Sequence, residues 1–423
     1  MSSPLAPPSE RTLSIALKPI NRKYMAALGL AQFGITLAIF SPAVVSMQVK
    51  AQALSPDNPA AVIGAVMPIG ALGALFANPL AGALSDRTRT RWGRRRPWML
   101  GGAISLTIAL AWVAMAPDQL SLTFAWLACQ LTANATVAPL IASFADNVPE
   151  LQRGRGSSTI ALAQNLSVLA GTYLATYFVG NLPVLFVVPG LLAIALIIVY
   201  SFVAQDRLPE IRPPRFTLPR FLGTFWTNPV RNPDFAWAWW SRVLITLAMF
   251  MFTTYRLLYM QDQLGLSLQR ATEAVALGVL FYTIALLLGA LVSGWLSDRF
   301  RRRKVFVAGS TALFAVGTLV LAHAHDLSHF YVAEVIMGLA YGVYSAVDTA
   351  LVVDVLPSAE QAGKDLGVIN IANMVPQSLA PAVALWLLQV GSPDAQNYTV
   401  MLWGAAIAAF VGAAVVLPIK RVR

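Results

Sequence analysis

The sequence has 423 residues, of which 57% are hydrophobic and 12% are charged. A soluble globular domain carries about 25% charged residues, so this composition excludes an ordinary soluble protein and indicates lipid as the solvent. The formal net charge of +11 is compatible with nucleic-acid binding. The distribution of the basic residues along the chain distinguishes that function from membrane topology.

Twelve apolar stretches follow one another along the chain, each long enough to cross a membrane as a helix. A crossing needs about 20 mostly apolar residues. These runs are continuous, whereas the strands of a membrane barrel alternate apolar and polar residues. The sequence therefore predicts an all-α integral membrane protein. The predicted helices cover residues 24–47, 60–84, 98–116, 120–146, 158–180, 183–204, 236–261, 271–296, 305–324, 328–353, 364–389 and 397–418.

The basic residues are distributed very unevenly across this topology. If successive loops are assigned to alternate sides of the membrane, 26 of the 30 Lys and Arg residues fall on the side that holds both termini. Cytoplasmic loops are enriched in Lys and Arg, so both termini are expected to be cytoplasmic, in a cell (inner or plasma) membrane. The basic loops then act as topology signals and contact lipid headgroups, and no nucleic-acid partner is expected.

The helices form two groups of six that share short sequence motifs. We assign residues 1–204 to an N-terminal bundle, 205–235 to a cytoplasmic linker and 236–423 to a C-terminal bundle. Duplicated halves related by an axis along the membrane normal predict a transporter that works by alternating access, with its site between the halves. The repeated positions are Asp86 and Asp298, Arg87 and Arg299, Asp146 and Asp354, and Asn165 and Asn373.

The loop between helices 2 and 3 is short and strongly basic, and reads SDRTRTRWGRRRPW over residues 85–98. We expect Asp86 to accept hydrogen bonds from a neighbouring helix N-terminus, where partial positive charge collects. Arg87, Arg94 and Arg95 can bridge helices when the cytoplasmic side closes, although a plain topology anchor would need the same residues. By the repeat, Asp298, Arg299 and Asp354 are the corresponding gating candidates in the second half.

Helix 4 adds a second pattern, in which Asn134, Pro139 and Asp146 follow one another at the spacing N-x4-P-x6-D. Together with residues 85–98, this spacing resembles the glycoside–pentoside–hexuronide:cation symporters and sucrose:proton symporters, a branch of the major facilitator superfamily. The resemblance implies two pseudo-symmetric six-helix bundles. It also implies proton coupling through Asp146 and substrate contact through Arg155, which opens helix 5. Asn134 of the helix 4 motif is a further candidate for substrate binding.

Helix 1 is also similar to that family. Gln32, Phe33 and Gly34 precede Pro42, as in the family's Gln-Phe-Gly segment, which places Gln32 among the substrate-binding candidates. The aromatic residue usual after the glycine is Ile35 here, so the resemblance leaves the particular sugar open.

Polar residues inside the predicted helices supply the remaining binding candidates. Helix 5 carries Gln164 and Asn165, and helix 11 carries Asn370, Asn373 and Gln377 on one face. Amide side chains suit sugar hydroxyls because each amide both donates and accepts hydrogen bonds. The alternative is hydrogen bonding between helices, which is worth about 0.6–2 kcal/mol for each residue.

Charged residues within helices 7 and 10 need a reason, because a charge at mid-membrane costs about 2.5–3.5 kcal/mol on insertion scales. Tyr341 and Asp348 share one face of helix 10. Tyr341 is a candidate for substrate binding, and Asp348 is a second candidate for proton coupling. Arg256 either extends outward to the membrane surface or faces the cavity and binds substrate. Its neighbour Tyr255 is a further candidate for substrate binding. Glu334 lies nearer the outer end of helix 10, and we expect it at the membrane interface.

These patterns predict a proton-coupled symporter of a sugar or glycoside that acts as a monomer. Its partners are the small-molecule substrate and membrane lipid, with the proton as coupling ion and no cofactor or metal. Helix 2 lacks the carboxylates of sodium-coupled melibiose permeases, which favours protons over sodium.

One alternative is an exporter of another small metabolite or drug. A membrane-embedded enzyme would need a DDxxD-type cluster, and neither that nor an HExxH or GxSxG motif occurs.

Overall fold

The computed structural model describes residues 20–206, 229–300, 302–356, 362–391, 396–420 and 422. These residues form twelve helices, as the sequence predicts, and most of the predicted linker, residues 207–228, lies outside them. The helices are α1 Arg22–Leu54, α2 Pro59–Arg87, α3 Arg96–Met115, α4 Gln119–Asn147, α5 Glu150–Phe178, α6 Leu182–Val203, α7 Pro233–Asp262, α8 Leu268–Phe300, α9 Arg303–Ala322, α10 Leu327–Asp354, α11 Ala362–Leu388 and α12 Tyr398–Val416.

Eleven of the helices in the described part of the chain are long and apolar enough to cross a membrane. The remaining helix, α5, begins eight residues before its predicted start, and its first turns are polar because they carry Arg153, Arg155 and several Ser and Thr residues. Helix α1 contains a π-helical turn at Pro42–Ser46, where Pro42 has no N–H to donate to the α-helical ladder. The all-helical membrane fold is thus confirmed.

The two halves repeat the same packing. In the first half α1 packs on α5 and α6, α2 on α4, and α3 on α4 and α6. In the second half α7 packs on α11 and α12, α8 on α10, and α9 on α10 and α12. Each of these helix pairs in the first half therefore has a counterpart six helices later. The halves that share sequence motifs also share their helix packing.

The halves contact each other through α2 with α11, α5 with α8, and the end of α1 with α7. A group of hydrogen bonds joins them on the far side, which we define as the side opposite the start of α1 and the end of α12. There the Gln48 Oε1 atom accepts from the backbone N–H groups of Leu257 (3.0 Å) and Leu258 (3.2 Å). Gln52 donates to Gln261 at 2.5 Å. The far side of the molecule is closed.

Candidate functional site

A cavity of about 340 Å³ lies between the two halves. Its wall combines apolar and aromatic side chains with a small number of amides, hydroxyls and one charged group, which is the usual composition of a small-molecule site. Helices from both halves contribute to it. The sequence-predicted binding residues in its wall are Gln32, Asn134, Gln164, Asn165, Arg256, Tyr341 and Gln377.

The other four predicted binding residues are outside the described wall of this cavity. Arg155 is exposed on the first turns of α5, towards the termini side. Asn370 is also exposed, and Asn373 is half-buried. Both precede Gln377 on α11, and their positions nearer the start of that helix place them on the termini side of the cavity.

Tyr255 has a packing role. Its side chain is fully buried, and its hydroxyl donates to the carbonyl oxygen of Pro381 at 2.8 Å. The same hydroxyl lies 3.4 Å from the carbonyl oxygen of Ala60, which belongs to the other half. Tyr255 therefore helps to close the far side, and its position differs from the predicted substrate contact.

Amides of the first half make two side-chain hydrogen bonds on the cavity wall. Asn78 donates to the Asn134 Oδ1 atom at 2.8 Å, and the Gln32 Nε2 atom donates to Thr36 at 2.9 Å. The Gln32 Oε1 atom is buried and has no hydrogen-bond partner among the described residues. It is an unused acceptor on a residue of the cavity wall. Sequence reasoning missed Asn78, although a lone amide in an apolar helix is a usable signal.

Arg256 faces the cavity and is the charged residue among the described residues of its wall. Its side chain is 6% exposed, and its Nε atom lies 3.2 Å from the Glu334 Oε1 atom, whose side chain is 0% exposed. The guanidinium also lies over the Phe252 ring, 4.9 Å from its centroid. The expectation of an interfacial Glu334 is therefore wrong, because this side chain is fully buried, with Arg256 of α7 and Gly278 of α8 beside it.

Asp348 forms a second buried ion pair, with Arg242 of α7. The Asp348 Oδ2 atom accepts hydrogen bonds from two nitrogens of the guanidinium, Nε (2.9 Å) and Nη2. Arg242 and Arg256 are fourteen residues apart on α7, as are Glu334 and Asp348 on α10. Because α7 and α10 run in opposite directions, the two pairs connect these helices at levels about 21 Å apart.

A network of charges lies on the termini side of the first half. Arg95 pairs with Asp86 at 2.5 Å and with Asp146 at 3.2 Å. Arg94 pairs with Asp146 at 2.6 Å and lies 3.6 Å from Asp86. The predicted gating residue Asp86 and the predicted coupling residue Asp146 therefore share one network, away from the cavity wall. The Arg87 side chain donates to the carbonyl oxygen of Ala83 at 2.6 Å.

The carboxylate that caps the N-terminus of α3 belongs to Asp206. The sequence predicts Asp86 for this role. The Asp206 Oδ2 atom accepts from the backbone N–H groups of Arg95 (2.7 Å) and Arg96 (2.8 Å) at the start of α3. Gly93 has φ of 103°, and a Cβ atom there would meet Asp206 Oδ2 at 2.2 Å. Asp86 is drawn instead to the arginine side chains that follow it.

The second half repeats part of this network. Arg303 donates to the Asp354 carboxylate at 2.5 Å, as Arg95 does to Asp146 at the corresponding position of the first half. Arg299 is exposed at the end of α8. The side chain of Asp298 lies outside the described residues, so its predicted gating role stays a prediction.

The sequence is similar to those of known membrane transporters. The family described as MFS/sugar transport protein matches residues 58–392. An uncharacterized symporter of Synechocystis sp. is 54% identical over 50 residues, 12% of this chain and 9% of that protein. The arabinose-proton symporter of Bacillus subtilis is 37% identical over 71 residues, 17% of this chain and 15% of that protein. An uncharacterized MFS-type transporter of Mycobacterium tuberculosis is 25% identical over 348 residues, covering 79% and 80% of the two chains.

Solved structures share the fold at low sequence identity. A mutant form of the nucleoside transporter NupG matches with a TM-score of 0.75 at 11% identity, covering 94% of this chain and 99% of that one. A bacterial homologue of the lysosomal transporter Spinster, solved in an inward-facing and occupied conformation, matches with a TM-score of 0.74 at 12% identity. It covers 96% of this chain and 98% of its own.

Proposed function

We propose that this chain, which belongs to the MFS/sugar transport protein family, carries a sugar or glycoside across the membrane together with a proton. Members of this family are transporters and not enzymes, and symporters occur among its relatives. The chain spans 9% of the Synechocystis symporter and 15% of the arabinose-proton symporter. A sugar as the substrate and a proton as the coupling ion are therefore proposals for this chain.

The observation that carries the proposal is the polar chemistry of the central cavity. Gln32, Asn134, Gln164 and Gln377 present amides from four helices and from both halves. Such groups can donate to and accept from the hydroxyls of one sugar, while aromatic and apolar wall residues cover the faces of the ring. A volume of about 340 Å³ lies in the range of small-ligand sites.

Alternating access gives this cavity its transport role. With both termini in the cytoplasm, the closed far side is the outer side, and the cavity belongs to an inward-facing state. The proton is the coupling ion, Asp146 and Asp348 are the carriers that the sequence proposes, and no organic cofactor is required. We further propose a monomer in the inner or plasma membrane.

The proposal is tested by uptake into proteoliposomes that hold the purified protein. With the membrane potential clamped, an inward gradient of one pH unit supports about tenfold accumulation of a substrate carried with one proton. Labelled pentoses, hexoses and glycosides form the substrate panel, and nucleosides and amphiphilic drugs form the comparison panel.

We expect accumulation of at least one sugar, abolished by a protonophore, with counterflow of the same sugar retained. Accumulation that is indifferent to the pH gradient would overturn proton coupling. Transport confined to nucleosides or drugs would overturn the sugar assignment.

A further inference from the structure

Among the described residues, the carboxylate of Glu334 is buried beside a single arginine. Its side chain is 0% exposed, and neither carboxylate oxygen accepts a hydrogen bond from a described residue. The Nε atom of Arg256 is 3.2 Å away, and the Tyr282 hydroxyl of α8 is within electrostatic range of both charges. Tyr341 interacts electrostatically with Tyr282, and residues 305–322 of α9 contain no titratable group.

The charge state of a buried carboxylate without hydrogen bonds depends strongly on its ion-pair partner, which for Glu334 is Arg256. An ionised carboxylate in a dry interior is stable only when it is paired and hydrogen-bonded, and here the pairing is present without the hydrogen bonds. Protonation of Glu334 removes the negative charge and leaves Arg256 as a cation on the cavity wall. The planar guanidinium can then donate to the oxygens of a bound substrate. Proton uptake and substrate binding thus favour each other.

The pair is also connected to the closed far side. Arg256 lies between Tyr255, which contacts Ala60 of the other half, and Leu257, whose N–H donates to Gln48. One short segment of α7 therefore carries both the cavity cation and the bonds that hold the halves together. A change in the partner of Arg256 acts directly on that segment.

The two acids that the sequence proposes are bound differently. Asp348 accepts two hydrogen bonds from Arg242 and lies outside the described cavity wall. Asp146 is 36% exposed and is paired with both Arg94 and Arg95. Each of these carboxylates is already satisfied by arginine, and neither controls a charge that faces the cavity.

We propose that Glu334 binds the transported proton and that Arg256 exchanges Glu334 for the substrate when Glu334 is protonated. This inference rests on the proposed proton-coupled function. The proton adds to a Glu334 carboxylate oxygen on the outer side and leaves the same group on the inner side. No other bond is formed or broken.

The test is the substitution Glu334→Gln, whose amide resembles the protonated acid, in the proteoliposome assay. Counterflow should persist, because it needs only the protonated state. Accumulation driven by one pH unit should fall from about tenfold to about onefold. Asp57→Asn is the matched control, since Asp57 is an exposed acid between α1 and α2, and it should accumulate substrate as the wild type does.

The outcomes separate this inference from the proposed function. If the wild type shows no accumulation driven by pH, the proposed function fails. If the wild type accumulates substrate and Glu334→Gln does so equally, the Glu334 assignment fails while the function stands. The assignment fails in the same way if a folded Asp348→Asn or Asp146→Asn protein keeps counterflow and loses accumulation driven by the pH gradient.

A second variant serves if Glu334→Gln does not fold. Glu334→Asp keeps a titratable group but moves it about one methylene away from Arg256. The proposal requires accumulation to remain and the pH profile of substrate exchange to shift. An unchanged profile in a folded Glu334→Asp protein would overturn the assignment.

Discussion

Single residues in this protein differ sharply in how their charges are accommodated. Asp348 and Arg242 have side chains that are 2% and 13% exposed, whereas Asp354 and Arg303 are 41% and 28% exposed. An exposed pair is screened by water and contributes about 0–1 kcal/mol. Removal of one partner of a buried pair costs more, about 3–5 kcal/mol, because the other charge stays buried alone.

The first prediction compares these two pairs. Asp348→Ala should lower the free energy of unfolding by about 3–5 kcal/mol, and Asp354→Ala by about 1 kcal/mol or less. Thermal unfolding of the purified variants in one detergent provides the measurement. Replacement of Arg242 and Asp348 together by apolar residues should recover much of the loss. Equal destabilisation by the two single substitutions would contradict the structural assignment of burial.

A second prediction concerns the cap on α3. Asp206→Ala removes the acceptor for the Arg95 and Arg96 N–H groups and should cost about 0.5–2 kcal/mol. A lower unfolding temperature than that of the wild type is the expected result. Asp57→Asn again serves as control, because Asp57 is exposed and should leave the unfolding temperature unchanged.

The sequence was informative about which residues are polar in the membrane and less informative about their partners. Helical periodicity places Asn370, Asn373 and Gln377 on one face of α11. Only Gln377 of the three lies in the described cavity wall, because periodicity gives the face of a helix and not the level of the cavity along it. The pair of Arg242 and Asp348 joins residues about one hundred positions apart, and no local pattern reports such a contact. The same reason hid Asp206 and the burial of Glu334.

At the scale of helices, α8 and α10 approach each other to backbone contact. Gly338 and Gly342, four residues apart, lie on the same face of α10. A Cβ atom at Gly338 would meet the Tyr282 carbonyl oxygen at 2.3 Å, and one at Gly342 would meet the Leu286 carbonyl oxygen at 2.1 Å. Small residues at this spacing let two membrane helices approach to backbone contact.

The third prediction tests that approach. Gly342→Ala should destabilise the protein by about 1–3 kcal/mol, because the methyl group meets backbone that cannot move without separating the helices. The matched control is Gly309→Ala on α9, where a Cβ atom would meet nothing within 4 Å among the described residues. The measurement is the unfolding temperature in detergent. A loss for Gly309→Ala as large as that for Gly342→Ala would refute the packing explanation.

Helix α5 shows where hydropathy stops being a guide to helix boundaries. Predicted from residue 158, it begins at Glu150, and it falls below the apolarity of the other eleven helices in the described part of the chain. Its Gln164 and Asn165 face the cavity and not lipid, so the helix can be polar without exposing those groups to hydrocarbon. Apolar runs report lipid contact, and a cavity-lining helix has less of it.

Across the whole molecule, one side is closed by a small number of specific hydrogen bonds between the halves. Gln48 contributes two of them, to the N–H groups of Leu257 and Leu258, and it is 1% exposed. These bonds must break for the cavity to open on the far side. Their strength therefore sets part of the equilibrium between the two states of the transporter.

The last prediction follows from that equilibrium. Gln48→Ala removes both bonds, each worth about 0.5–1.5 kcal/mol, and should raise the population that is open on the far side about tenfold. A cysteine placed at Thr253, which lines the cavity, would report this opening through its rate of labelling by a membrane-impermeant maleimide added outside. The natural Cys129 is buried and should give little background.

The matched control for Gln48→Ala is Gln389→Ala, an exposed amide at the far end of α11. It should leave the labelling rate of the Thr253 cysteine unchanged, because Gln389 makes no side-chain hydrogen bond to the other half among the described residues. Equal labelling rates in the wild type and Gln48→Ala backgrounds would mean that the Gln48 bonds do not hold the far side closed. The closure would then depend on apolar packing such as that of Gly64 against Leu385, where α2 meets α11.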